Sequence, residues 1–371
     1  MNRIILIGNG FDLAHGLKTS YRDFIDNFWE KKLETFLFAY NNMKLGVRSE
    51  LITKKNDNNR YYFYQYNDNE FIIDITNINI VLPTENISLT YKGYNKLNYI
   101  VSCLSSNVGI NNIKINNYFL KRITFKQELK NWVDIEEEYY LALNECLINK
   151  KGIEELNKEF LFIQKALENY LTEQMSCNFS KSDEIMKNIY SSTSRNEIQG
   201  ERNVYVLVNT LYLSFNYTNT EKIYQRNTNT DKFIKIHGEL NNQNNPIIFG
   251  YGDELDERYK QIEQENDNKY LENIKSFKYL MTRNYQELLN FIESDKYQIF
   301  IMGHSCGNSD RTLLNTLFEH KNCLSIRIFY HMKDDKNNFN DVIMNISRNF
   351  TNKQKMREIL VTLPDSKPLM G

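Results

Sequence analysis

Proline is nearly missing from this chain, with four in 371 residues, and no Pro-rich or low-complexity linker marks a domain boundary. No fixed-period repeat is present, which sets aside solenoids and propellers. The five cysteines, Cys103, Cys146, Cys177, Cys306 and Cys323, are scattered without a C-x-x-C pair. A structural zinc site or a disulfide framework is therefore not expected. Long hydrophobic runs are also lacking. Met1–Ile7 is too short for a signal peptide, and no segment approaches the roughly 20 apolar residues of a membrane span. Net charge is only −1, so no whole-protein field points to nucleic acid or an anionic membrane. These absences leave a reduced, soluble, cytoplasmic protein as the expectation.

Hydrophobic residues make up 41% of the chain, enough to build one large domain or two ordinary ones. Ile4–Ile7 is a short β-branched apolar run stopped by glycine, the signature of a buried strand. Phe24, Phe28 and Leu33 then repeat at helical spacing within Tyr21–Phe38. Strand, glycine turn and helix form the entry unit of a doubly wound α/β sheet. Between about Arg60 and Phe125, short runs such as "YYFYQY", "FIIDITNINIVL", "ISLTY" and "NIKINNYFL" alternate with Asn, Asp and Gly. That pattern predicts β-hairpins in an appendage outside the main sheet. Helical spacing returns from "NWVDIEEEYYLAL" onward, with Leu156, Phe160, Ile163, Leu167 and Tyr170 on one stripe. Strand-like runs follow at "LYLSFN", "FIKIHG", "PIIFGYG", "YQIFIMGHS" and "LSIRIFYH". The expected organisation is a nucleotide-binding core of residues 1–50 and 200–371, interrupted by an insertion at 51–199. The insertion carries hairpins at about 60–125 and helices at about 130–190.

Gly8 and Gly10 end the first strand and precede a helix, a place where backbone N–H groups attract anions. The dehydrogenase fingerprint G-x-G-x-x-G fails here. Leu13 stands at the third glycine, and no second strand ends in an acidic residue about 20 positions on. Hydride transfer to NAD is thereby disfavoured. The spacing "GNG-FDLAH-GL" instead resembles the first motif of sirtuins and sirtuin-like NADases. "LSFNYTNTEKIY" resembles that family's strand ending in a catalytic Asn, and "FIKIHGEL" its strand ending in the catalytic His-Gly. "IFIMGHSCGNSD" resembles its late glycine turn near the adenosine half of the dinucleotide. A broader likeness covers nearly the whole chain. "GNGFDLAHGLKTSY", "WVDIEEEY", "FNYTNT", "KIHGEL", "IIFGYGD" and "GHSCGNSD", in this order, resemble the bacteriophage abortive-infection AbiH family.

The two resemblances imply a sirtuin-like Rossmann core, mostly parallel, with a β-rich and helical insertion. They imply an anti-phage protein that hydrolyses NAD+, held as substrate with no permanently bound cofactor. Asn216 and His237 would be catalytic, His237 as base and Asn216 orienting water or a ribose hydroxyl. Gly8, Asn9, Gly10, Phe11, Asp12, Gly16, Gly303, His304, Ser305 and Asp310 would contact the dinucleotide. The chain departs from the sirtuin pattern in three places. It lacks the four-cysteine zinc module, carries Asp12 where a small residue is usual, and has Thr218 where Asp is frequent. Partners implied are NAD+ or a related nucleotide, a phage-derived trigger and, in a homo-oligomer, a second copy of the chain. A membrane is not among them.

Other readings of the same residues remain open. His237 at a strand end is also consistent with a satisfied structural histidine, and Asn216 with a turn former. "GHSCG" fits the nucleophile elbow G-x-S-x-G, with Ser305 as nucleophile, but Asp310 with His320 or His331 is the only downstream triad order available. Asp134 and Glu138 share a helix face at i and i+4 and could serve a metal-dependent nuclease, or simply be a solvated acidic face. A non-catalytic nucleotide sensor would use the same crevice as the enzyme.

Overall fold

Strand β1 (Asn2–Ile7) is buried at all six positions, as a strand covered on both faces must be. It lies inside a six-stranded sheet of the computed structural model. The structure describes residues 1–56, 62–76, 90–104, 113–126, 132–150, 152–193, 197–198, 205–226, 230–254 and 256–370. Two compact units divide the chain. The first holds Met1–Ser20, Trp132–Asn157 and Leu167–Gly371, and the second Tyr21–Asn131 and Lys158–Ala166. This division differs from the expected one. The helix Tyr21–Lys44 falls in the second unit and the helix Trp132–Asn149 in the first.

The second unit has its own antiparallel sheet, in the order β2 (Ile52–Asn56), β3 (Tyr62–Asn67), β4 (Phe71–Ile75), β5 (Ile113–Ile115). Register pairs such as Tyr66 with Ile73 and Phe71 with Ile115 place apolar residues opposite one another. Trp29 from the long helix meets Phe71 edge-on at 5.5 Å, and Phe36 meets Tyr66 at 5.2 Å. The region is less purely β than expected. Gly93–Cys103 and Tyr118–Phe125 are helices, the latter capped by Asn117, whose side chain accepts from the Leu120 amide at 2.7 Å. "NIKINNYFL" thus starts as strand and ends as helix, because Asn117 offers the first turn a side-chain cap. "ISLTY" lies largely, and the end of "FIIDITNINIVL" wholly, outside the described residues.

In the first unit, β6 (Thr210–Ser214), β7 (Asp231–Lys235), β8 (Tyr297–Met302), β9 (Cys323–Tyr330) and β12 (Lys367–Pro368) join β1. All five pairings are parallel, in the order β12-β9-β8-β1-β6-β7. Between β9 and β12 a small hairpin, β10 (Met332–Lys333) with β11 (Lys336–Asn337), stands apart from the sheet. Helices cover both faces. On one, Ile4, Leu6, Leu211 and Ile299 pack with Leu288, Leu317 and Ile346. On the other, Ile5, Ile7, Tyr212 and Phe300 pack with Phe11, Ile185 and Ile189. The chain builds outward from β1 to β6 and β7, then returns to the other side of β1 to lay down β8, β9 and β12. The order therefore reverses between β1 and β8, at the point where open α/β sheets form their binding crevice. "PIIFGYG" forms no strand; its Tyr251 makes only an isolated bridge to Ile274.

Among the described residues no helix is long and apolar enough to cross a membrane.

Candidate functional site

Four of the motifs singled out in the sequence reach the same edge of the parallel sheet, because each runs on from the end of a strand. Gly8 follows β1, Phe215 and Asn216 follow β6, His237 follows β7, and Gly303 follows β8. Backbone bonds continue the sheet a step further, Phe215 N to Ile7 O at 2.9 Å and Ile236 N to Ser214 O at 3.0 Å. Shared placement does not mean shared contacts, and the residues divide into two clusters.

The glycine turns meet each other. Gly10 N donates to Gly303 O at 2.8 Å, and Gly8 N donates to Met302 O at 3.3 Å. A Cβ on Gly303, whose φ is +76°, would lie 2.1 Å from the Phe11 nitrogen. These glycines allow two backbones to touch at the point where the strand order reverses. The Asn216 side chain joins the same contact, donating through Nδ2 to Gly8 O at 2.9 Å. Asn9 Oδ1 accepts from the Thr19 hydroxyl at 2.7 Å. Phe11 is buried, its ring 4.7 Å from that of His15. Gly16, at φ +78°, stands in open space.

Asp12 turns away from this edge into a buried polar knot. Thr218 donates to its Oδ2 at 2.6 Å and Thr220 to its Oδ1. Burial raises the Asp12 carboxyl above its usual range, and the hydrogen bonds from Thr218 and Thr220 pull against that rise. Lys235, the last residue of β7, donates to the Thr218 carbonyl and lies 2.8 Å from Glu221 Oε1. Thr218 therefore fills its sequence position by capping Asp12, so two of the three departures from the sirtuin pattern are one hydrogen-bonded pair.

The second cluster gathers around Asp310. His237 Nε2 lies 3.1 Å from Asp310 Oδ1 and 3.0 Å from the Tyr279 hydroxyl. His304 Nε2 lies 3.6 Å from Asp310 Oδ2. Lys275 Nζ donates to Asp310 Oδ1 and to Glu136 Oε2, each at 2.8 Å. The Phe215 ring packs 4.1 Å from His304 and 5.0 Å from His237. All these polar groups are buried, His237 at 5% exposure and Lys275 at 0%.

Electrostatics follow from that burial. Burial alone would raise Asp310, but Lys275 first, then His237, hold it well below the usual carboxylate range. Burial lowers His237 to about 4, with Lys275 adding to the effect and Asp310 opposing it. His237 is then neutral near pH 7 and carries one ring proton. Asp310, ionised, can only accept, so that proton sits on Nε2. Nδ1 is left with no hydrogen-bond partner among the described residues. On His304 the backbone N–H of Cys306 donates to Nδ1 at 3.0 Å, which also assigns its proton to Nε2. Asp310 thus orients two imidazoles, an arrangement that can deliver a general base.

Ser305 is not part of either cluster. Its hydroxyl bonds no histidine among the described residues, its carbonyl accepts from Asn345 at 2.8 Å, and the positive φ values of the turn belong to Gly303 and Cys306. The Cys306 thiol is buried and pushed up by burial, so no thiolate nucleophile arises there. Asp134 is half-buried and Glu138 buried, and among the described residues no group of three or more His, Cys, Asp or Glu is placed to hold a metal ion.

Sequence reasoning missed Glu136, Lys275, Tyr217 and Tyr279. Glu136 stands between the two acidic residues singled out, and one turn before Tyr140 on the buried face of its helix. Lys275 and Tyr279 sit at i and i+4 on the short helix Lys275–Tyr279. The unused motif "FGYGD" makes room for them. A Cβ on Gly252 would come within 2.7 Å of Ser309 O and 3.3 Å of Lys275 Cβ.

The sequence model of the family described as Bacteriophage abortive infection AbiH matches residues 4–332. No curated protein and no solved structure matches the chain.

Proposed function

The chain belongs to the bacteriophage abortive-infection AbiH family, and from that premise we propose that it arrests an infected cell by hydrolysing NAD+. Family membership supports the defence role. The NADase chemistry is supported by the motif resemblance to sirtuin-like NADases and by the site. One observation carries it: His237, oriented by Asp310 through Nε2, offers a neutral Nδ1 at the carboxyl edge of a parallel sheet. The strand order adds support. Counted along the chain, the six strands run 3-2-1-4-5-6, the order of dinucleotide-binding sheets, an argument from fold-level likeness.

In this reading water attacks C1′ of the nicotinamide ribose, and its proton passes to His237 Nδ1. The N-glycosidic bond breaks with its electron pair going to the ring nitrogen, so nicotinamide leaves neutral and acid catalysis is not required. Asp310 stabilises the imidazolium that forms. Asn216 acts indirectly, since its amide already holds the Gly8 carbonyl. The Gly8–Gly10 turn keeps the Gly303–Asp310 loop in place. The test is nicotinamide release from NAD+ by purified protein. His237→Ala is expected to lower the rate by about 10²- to 10⁴-fold while circular dichroism stays unchanged. Equal rates in the variant and the parent would remove His237 from the chemistry.

A further inference from the structure

Lys275 is fully buried, and a buried ammonium persists only where partners replace its water. Its partners are Glu136 Oε2 and Asp310 Oδ1 at 2.8 Å each, and Ser309 Oγ at 3.4 Å. Asp310 Oδ1 is also the oxygen that faces His237 Nε2 at 3.1 Å. Four side chains from four separate segments therefore form one line: Glu136, Lys275, Asp310, His237. Glu136 is anchored at its other oxygen by the Gly250 amide at 3.3 Å. Beside the line stand His304 and the hydroxyls of Tyr217 and Tyr279; Tyr217 is turned to the Ile248 carbonyl at 3.0 Å.

We propose that Lys275 is a positioning residue: clamped between Glu136 and Asp310, it fixes Asp310 against His237 so that Nε2 bears the ring proton and Nδ1 is free to act as base. The proposal rests on the reading of His237 as the base, and it adds the group that decides which nitrogen does the work. The charge balance supports it. Lys275 is the first of the groups that outweigh burial and keep Asp310 ionised, and Asp310 followed by Glu136 outweigh burial to raise Lys275 in turn. Without Lys275, Glu136 and Asp310 would face each other as buried carboxyls, and one proton would be taken up between them. A protonated Asp310 donates where it formerly accepted. It would push the His237 proton from Nε2 to Nδ1, and the base would be lost with the fold intact.

The experiment is long-range ¹H–¹⁵N NMR of the side chains of the five histidines in full-length protein, at pH 7. Wild-type His237 is expected as the Nε2–H tautomer. Lys275→Met should move it to Nδ1–H, and Lys275→Arg should restore Nε2–H. His331, exposed and outside this cluster, should be unchanged throughout and serves as the internal reference. An Nδ1–H signal for His237 in the wild type, or an unchanged Nε2–H in Lys275→Met, overturns the proposal. If Lys275→Met does not fold, Glu136→Gln decides. It removes the far charge with little change of shape and should shift the His237 Nε2–H resonance; an unmoved resonance overturns the proposal. The NAD+ assay separates this idea from its premise. A tautomer that responds to Lys275 in a protein that never cleaves NAD+ keeps the positioning and removes the NADase reading. A Lys275→Met protein that cleaves NAD+ at the wild-type rate with its His237 tautomer unchanged does the reverse.

Discussion

Replacing Gly303 with alanine should damage the first unit far more than the same change at Gly16, although the two share a backbone conformation. Gly303 has φ +76° and Gly16 φ +78°, so the left-handed strain of a Cβ is equal at both, about 1–2 kcal/mol. The surroundings differ. At Gly16 nothing lies within 4 Å of the new atom, whereas at Gly303 it would meet Phe11 N at 2.1 Å, Gly10 C at 2.5 Å and Gly10 Cα at 2.9 Å. These are backbone atoms of a turn tied to Gly303 O by the 2.8 Å bond from Gly10, so no side chain can swing aside. Overpacking adds about 1–3 kcal/mol, giving a total of about 2–5 kcal/mol for Gly303→Ala. That is a large share of the roughly 5–15 kcal/mol that holds a domain folded. Urea denaturation followed by circular dichroism reads the difference. With about 2 kcal/mol between the variants and a slope of about 2 kcal/mol/M, the Gly303→Ala midpoint should lie about 1 M below that of Gly16→Ala. Coincident midpoints would refute the claim that the β1 and β8 turns are packed backbone to backbone.

The remaining expectations use the same equipment. Because burial lowers His237 to about 4 from an ordinary 6.5, the unfolded chain binds the extra proton in that window, so this group's contribution rises with pH and is lost as pH falls toward 4. Glu136, which burial raises to about 7 against the pull of Lys275, contributes in the opposite sense, and its share is lost as pH rises from 4.5 to 7. Urea midpoints between pH 4.5 and 6.5 should therefore climb more steeply in Glu136→Gln than in the wild type, and less steeply in His237→Gln; parallel curves would contradict both assignments. Thr218→Val is close to isosteric and removes the 2.6 Å bond to the Asp12 carboxylate, so it should cost about 1.5–3 kcal/mol in the same melts; a neutral result would mean that Asp12 is not held there. Asn216→Ala should cost about 0.5–1.5 kcal/mol by removing one of two bonds to the Gly8 carbonyl, which the Phe11 amide still holds at 2.8 Å, while Ser305→Ala should leave both the midpoint and NAD+ turnover near wild type. A dead Ser305→Ala enzyme would revive the nucleophile-elbow reading.

The parallel sheet was legible because buried strands such as β1 and β8 are continuous apolar runs ended by glycine, a pattern that needs no partner to be read. The separate antiparallel sheet was legible for a related reason, its short alternating runs. Its helices were not, since Gly93–Cys103 has Lys92 at its N-cap with no side-chain cap bond, and its first amide is held instead by the distant Glu30 at 3.2 Å. Of the second cluster, His237 and Asp310 lay in quoted motifs, His237 just past a strand and Asp310 at the end of "GHSCGNSD", where the next helix starts. Their contact could not be read, for it joins positions far apart in sequence through the order of strands. Lys275 and Glu136 were invisible for a different reason. Charged residues in helices are usually solvated, and only tertiary packing reveals which ones are buried as a pair. The glycine turn shows the opposite case. Its spacing signals a close approach correctly, but sequence alone does not say that the approaching partner is Gly303.

The most direct measurement of the central claim is the NAD+ content of phage-infected cells through one infection cycle, comparing the wild-type protein with His237→Ala at matched expression. NAD+ should collapse before lysis and plaques should fall with the wild type alone, with nicotinamide accumulating as NAD+ disappears. Plaque reduction that persists in His237→Ala, or protection by the wild type while NAD+ holds steady, would contradict it.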